Sequence, residues 1–80
     1  MPALSELHAG DQAEIVSVTG EPGLVQRLSE FGLIEGEIVE FVGRAPLGDP
    51  IEIRIGNTRL TLRKTEALGI TVRLTSTPVA

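Results

Sequence analysis

Few side chains in this 80-residue chain are able to do chemistry: its only histidine is His8 and it has no cysteine. That excludes thiol nucleophiles, zinc knuckles and disulfides, and leaves no nucleophile–base–acid constellation, so the chain is expected not to be an enzyme. His8 closes an N-terminal turn, where a solvated imidazole is at home. Carboxylates are plentiful, but Glu35, Glu37 and Glu40 follow one another without the spacing of a calcium loop. They offer weak, exposed divalent-cation binding and no dedicated metal or cofactor site. Gly20-x-x-Gly23 opens a helix, yet Glu21 and Pro22 stand where a phosphate needs bare N–H groups, and no P-loop lysine follows.

The stretch RAPLGDPIEI, residues 44–53, is the other place where a site is expected. Pro46 fixes one backbone angle of a turn, Gly48 permits a positive one, and Pro50 holds Asp49 extended at the start of a strand. Only Leu47 is left over. It either folds back as a plug, the ordinary fate of an apolar side chain, or stands out as an anchor for a partner. The candidate partner-binding set is Leu47, Gly48 and Asp49 at the loop tip, with Arg54 and Arg59 on the neighbouring hairpin.

The elements that must position these residues are short. An N-terminal turn runs from Ser5, a cap, to Gly10, and DQAEIVSV gives a strand over Gln12 to Val18. Leu24, Leu28 and Phe31 recur at helical spacing behind Pro22, and Gly32 closes that helix. Such a helix is too short to stand alone and must lie on a sheet. A strand from Glu37 turns Val39 and Phe41 inward, and PIEIRIG alternates Ile51, Ile53 and Ile55 against Glu52 and Arg54. Gly56-Asn57 is a two-residue hairpin signal, which sets Ile53 opposite Leu60, Ile51 opposite Leu62, and Arg54 opposite Arg59. Two facing arginines repel, and Glu52 is the nearest acid to compensate. KTEALG makes one helical turn capped by Thr65 and stopped by Gly69, and ITVRLT ends the pattern with Ile70, Val72 and Leu74 inward. The expected fold is mainly β: a small five-stranded barrel over residues 1–75 with one inserted helix, followed by a flexible tail at 76–80.

Composition narrows the partner. A net charge of −4 argues against nucleic acid, which requires a basic footprint. Phe31 and Phe41 are the only aromatic residues, and both fall at core-facing positions, so neither base stacking nor a proline-binding groove is expected. No window approaches the roughly 18 apolar residues of a membrane span, and no signal sequence is evident; a cytoplasmic protein is expected. Charge is divided unevenly: residues 1–40 hold eight acids against Arg27, while residues 41–80 hold three acids against six bases. The halves either pair across interleaved strands or present a bipolar surface.

RLSEFGLIEGEIVEFVGRAPLGDPIEI followed by LTLRKTEALGITV closely resembles the FeoA family, from residue 4 to about Leu74. Its most specific parts are Arg27-Leu28 to Gly32-Leu33 and Gly36, then Ala45 to Pro50, then Leu62-Arg63-Lys64 with Glu66-Ala67. Glu35 stands where the family often has proline. The resemblance implies an SH3-like barrel and a cytoplasmic accessory role in bacterial ferrous iron transport, by contact with the cytosolic GTP-binding part of the FeoB permease. A monomer or weak oligomer is expected. The alternative function is a metal-responsive module that binds ferrous iron or zinc through surface carboxylates and His8.

Overall fold

The computed structural model describes residues 1–76. A 3-10 turn at Leu4–Glu6 precedes β1 (Gln12–Val18), α1 (Pro22–Glu30), β2 (Ile38–Arg44), β3 (Ile51–Ile55), β4 (Thr58–Leu62), α2 (Lys64–Ala67) and β5 (Ile70–Ser76). The strands form one antiparallel sheet in the order β4-β3-β2-β1-β5. The fold is mainly β as expected, but the barrel is not closed, because no ladder joins β4 to β5 among the described residues. Instead the N-terminal segment lies along the free edge of β5, with a bridge between Ala3 and Thr71 and a Val72 N–H donated to the Pro2 carbonyl at 3.0 Å. This covers an edge that would otherwise invite pairing with another chain. Ser76 ends β5, and the rest of the expected tail lies outside the described residues.

Inward alternation builds the core as the sequence predicts: Val39, Phe41, Ile51, Ile53, Ile70 and Val72 are fully buried. The β3–β4 register is also as expected, with Ile51 opposite Leu62, Ile53 opposite Leu60 and Arg54 opposite Arg59. Gly56 has φ +58° and, among the described residues, no non-glycine residue has positive φ, so the two-residue turn takes glycine at its first central position.

Two apolar residues expected inward are exposed. Phe31 is 53 % exposed because α1 ends one residue earlier and Phe31 leaves helical phase at φ −89°, ψ 0°. The Leu33 N–H returns to the Leu28 carbonyl at 3.0 Å and the Gly32 N–H to Ser29 at 3.0 Å. This is the Schellman closure, which turns the apolar residue after the glycine back onto the helix. Leu33 therefore takes the core place expected of Phe31, and it is buried beside Leu28. Leu74 keeps inward parity but is 43 % exposed, opposite Ala13, whose methyl is too small to cover it.

Two caps also differ from expectation. The 3-10 turn is capped through Ala3, whose N–H donates to Glu6 Oε2 at 2.7 Å, and Ser5 is buried instead. Helix α2 starts after Arg63 rather than after Thr65, because Glu66 Oε1 accepts the Arg63 N–H at 2.9 Å and Asp49 Oδ1 accepts the Lys64 N–H at 3.0 Å. A carboxylate fifteen residues upstream thus satisfies an orphan donor that Thr65 was expected to serve.

The uneven charge resolves largely into pairs across strands. Arg73 meets Glu14 between β5 and β1, Arg54 meets Glu40 between β3 and β2, and Arg27 meets Glu66 at 2.5 Å between the helices. Exposed pairs of this kind contribute about 0–1 kcal/mol each, so they decorate the fold more than they hold it.

Candidate functional site

The β2–β3 connection is a tight, internally bonded loop. The Gly48 N–H donates to the Ala45 carbonyl at 2.7 Å, the Ala45 N–H donates to the Pro50 carbonyl at 3.0 Å, and Gly48 has φ +90°. An added Cβ at that angle would be strained, so glycine is what allows the reversal. Asp49 is tied inward by the Lys64 N–H, with Arg63 Nη1 4.0 Å from its other oxygen. The base of the loop is held by Arg44, whose guanidinium donates to the Ser5 and Leu7 carbonyls at 3.0 and 2.7 Å and lies 4.9 Å from the centre of the Phe41 ring.

Arg44→Ala removes both charged hydrogen bonds and the stacked cation, and is expected to cost about 1–2 kcal/mol, discounted for solvent at the exposed side. A melting-temperature fall of roughly 5–15 °C, partly recovered by Arg44→Lys, is the expected result.

Leu47 does not fold back as a plug. It is 97 % exposed at the tip of this braced loop, so the ordinary expectation for an apolar side chain fails here. The turn geometry explains why: the chain closes beneath Leu47 through Ala45, Gly48 and Pro50 and leaves no path for the side chain back to the core. Arg54 and Arg59 are placed elsewhere. They lie near the Gly56-Asn57 turn at the far end of β3, roughly 13 Å of strand rise from Pro50. Each also has an acid already, Arg54 with Glu40 and Arg59 with Glu52 at 3.5 Å. The expected set thus separates into an apolar tip at Leu47–Gly48, a clamp at Asp49 and a distant pair of compensated arginines.

A second feature is absent from the sequence expectations. An open pocket of about 370 Å³ lies between the end of β1, α1 and the turn after it, lined by Val18, Val25, Ser29, Leu33, Ile34 and Glu35. Its outer wall is pinned to β1, since the Gly36 N–H donates to the Ile15 carbonyl and the Ile15 N–H to Glu37 at 2.8 and 2.9 Å. The signal available in the sequence was Ile34, an apolar residue beyond the helix stop with no place in any periodic pattern; it is 45 % exposed. His8 stands apart from both features, with its side chain 88 % exposed and Nδ1 3.8 Å from Asp11 Oδ2. Among the described residues no three His, Asp or Glu side chains converge as a ligand set, and no helix is long and apolar enough to cross a membrane.

A family model described as the FeoA domain matches residues 3–74. The chain belongs to the FeoA family. A solution structure of FeoA from Chlorobium tepidum superimposes with a TM-score of 0.88 at 47 % identity, covering 92 % of this chain and 70 % of that one. FeoA from Stenotrophomonas maltophilia, an SH3-domain protein crystallised with zinc, superimposes with a TM-score of 0.78 at 34 % identity over 90 % of this chain and 89 % of that one. A protein of Porphyromonas gingivalis in which Fe(2+) transport protein A is fused to the Fe(2+) transporter FeoB is 44 % identical over 73 residues, 91 % of this chain. The present FeoA domain spans only 9 % of that fusion's length. The SH3-like fold expected from the resemblance is therefore the family's fold, here with an unclosed sheet.

Proposed function

We propose that this FeoA domain is a non-enzymatic, cytoplasmic accessory module of ferrous iron transport that docks on the cytosolic GTP-binding part of a FeoB-like transporter. The observation that carries the proposal is the Porphyromonas gingivalis fusion, in which a domain 44 % identical to this one is joined to the transporter in one polypeptide. A covalent link holds two parts at effective concentrations of about millimolar, which favours a contact too weak to persist between separate chains. Leu47 supplies the anchor: a leucine on a braced loop loses little conformational freedom on binding and gains the burial of its whole side chain.

Titration of the labelled protein with the isolated cytosolic domain of its cognate transporter, with and without guanine nucleotide, tests this by NMR. Amide shift changes centred on Leu47 and Gly48 are expected. Spectra that stay unchanged with the transporter domain at about 1 mM overturn the proposal.

A second reading, a transition-metal-binding module, is favoured by the zinc in the Stenotrophomonas maltophilia relative. It requires a stoichiometric site of micromolar affinity in calorimetry with zinc or ferrous iron. Millimolar, salt-sensitive binding rejects it.

A further inference from the structure

Two internal hydrogen bonds give the Leu47 loop its shape, but they do not decide the direction in which it stands. The loop rides on the β2–β3 stem, whose register shifts between Phe41 and Gly43, and an irregularity of that kind bends a hairpin locally. Something outside the hairpin must aim the tip. Among the described residues, the one hydrogen bond from residues 45–50 to an element other than β2 and β3 is that of Asp49 Oδ1 with the Lys64 N–H of α2, at 3.0 Å.

Helix α2 is itself a single turn, too short to hold its place by its own hydrogen bonds. Its first N–H groups are met by carboxylates from two directions: Asp49 accepts that of Lys64, and Glu66 Oε1 accepts that of Arg63 at 2.9 Å. The second Glu66 oxygen, Oε2, accepts the Arg27 guanidinium of α1 at 2.5 Å. One partly buried carboxylate thus caps α2 and fastens it to α1, while the buried Ala67 seats the same turn in the core. The path from the tip to α1 is unbroken.

The geometry points to α2 as the brace that aims Leu47, with Asp49 and Glu66 as positioning residues that act on the partner through that side chain. This rests on the docking proposed above and adds to it: affinity depends on Glu66 and Arg27 as well as on the leucine that is covered. A tip held at one angle before the partner arrives loses little freedom on binding, whereas a tip that swings on its stem must first be ordered. Arg27 separates bracing from direct contact. It lies on α1 and has no hydrogen bond or ion pair with the loop, so its removal takes nothing from the loop surface.

Backbone relaxation of the free protein and titration with the transporter's cytosolic domain, measured on the same variants, test this. In wild type the Leu47 and Gly48 amides are expected to be as rigid as the strands, with order parameters of about 0.85. Asp49→Ala is expected to lower them below about 0.6 and to weaken binding roughly 10-fold. Asp49→Asn, whose amide oxygen still accepts the Lys64 N–H, is expected to stay close to wild type in both. Glu66→Gln keeps the cap oxygen and removes the charge facing Arg27. Both it and Arg27→Ala are expected to loosen the tip in part and weaken binding roughly 3-fold, with melting temperatures within about 5 °C of wild type. Wild-type spectra that do not change with the transporter domain count against docking alone, and the order parameters still decide whether α2 aims the tip. A tip in Asp49→Ala or Arg27→Ala as ordered as in wild type, a tip already mobile in wild type, or order lost with full affinity kept overturns the inference.

Discussion

Gly69→Ala is expected to lower the melting temperature by roughly 10–25 °C, the largest effect of any single-methyl change in this domain. A Cβ built on Gly69 lies 2.2 Å from the Thr19 carbonyl oxygen and 3.2 Å from its carbon, both backbone atoms that cannot rotate away. Two hydrogen bonds fix that approach: the Thr19 N–H and Oγ1 both donate to the Gly69 carbonyl, at 2.8 and 3.1 Å. Separating the strands enough to admit a methyl group costs about 1–3 kcal/mol of overpacking and weakens bonds worth about 1 kcal/mol each. An 80-residue domain has only about 4–12 kcal/mol to lose. Gly23→Ala is the control. It adds the same methyl group within α1, where nothing lies within 4 Å, and is expected to raise stability by about 0.4–1 kcal/mol. Thermal unfolding of the two variants should move in opposite directions; equal shifts would show that Thr19 yields.

Leu47→Asp is expected to weaken binding to the transporter's cytosolic domain by roughly 30-fold or more while leaving the melting temperature within about 4 °C of wild type. The dissociation of the two effects rests on burial. At 97 % exposure Leu47 contributes no core contacts, so the substitution removes surface that only a partner can cover. Ser29→Arg is the control, because it blocks the pocket beside α1 and leaves Leu47 free. Transporter binding should persist in Ser29→Arg and fail in Leu47→Asp. A melting temperature that collapses in Leu47→Asp would instead make that side chain part of the folded core.

The periodic elements were legible because their physics is local. Alternation in Ile51–Ile55 and Thr58–Leu62 and the Gly56-Asn57 turn fix strand, face and register together, and the β3–β4 ladder follows them residue for residue. The Arg54–Arg59 opposition was legible for the same reason. Its compensation was half legible: Glu52 lies on the same strand as Arg54 and pairs with Arg59, whereas Glu40 comes from β2 and pairs with Arg54. Helix ends were harder to place. Gly32 was readable as a stop, but the switch of the buried position from Phe31 to Leu33 follows from the two closure hydrogen bonds. An apolar residue directly after the glycine is the sequence mark of that closure.

Gly69 shows the difference between a correct residue and its cause. The sequence suggests a helix stop, and Gly69 is not among the glycines with positive φ; it is there because the Thr19 carbonyl, fifty residues away, leaves no space for a side chain. Asp49 is similar: local chemistry casts it as a turn residue before Pro50, and the fold adds the Lys64 N–H as its partner. By itself the sequence determined the strands, their inward faces, the hairpin register and the absence of thiols, because each depends on neighbours a few positions away. The tertiary structure alone decided where Leu47 points, which charges remain unpaired, and that a pocket opens beside Ile34, because each depends on which distant backbone happens to lie alongside.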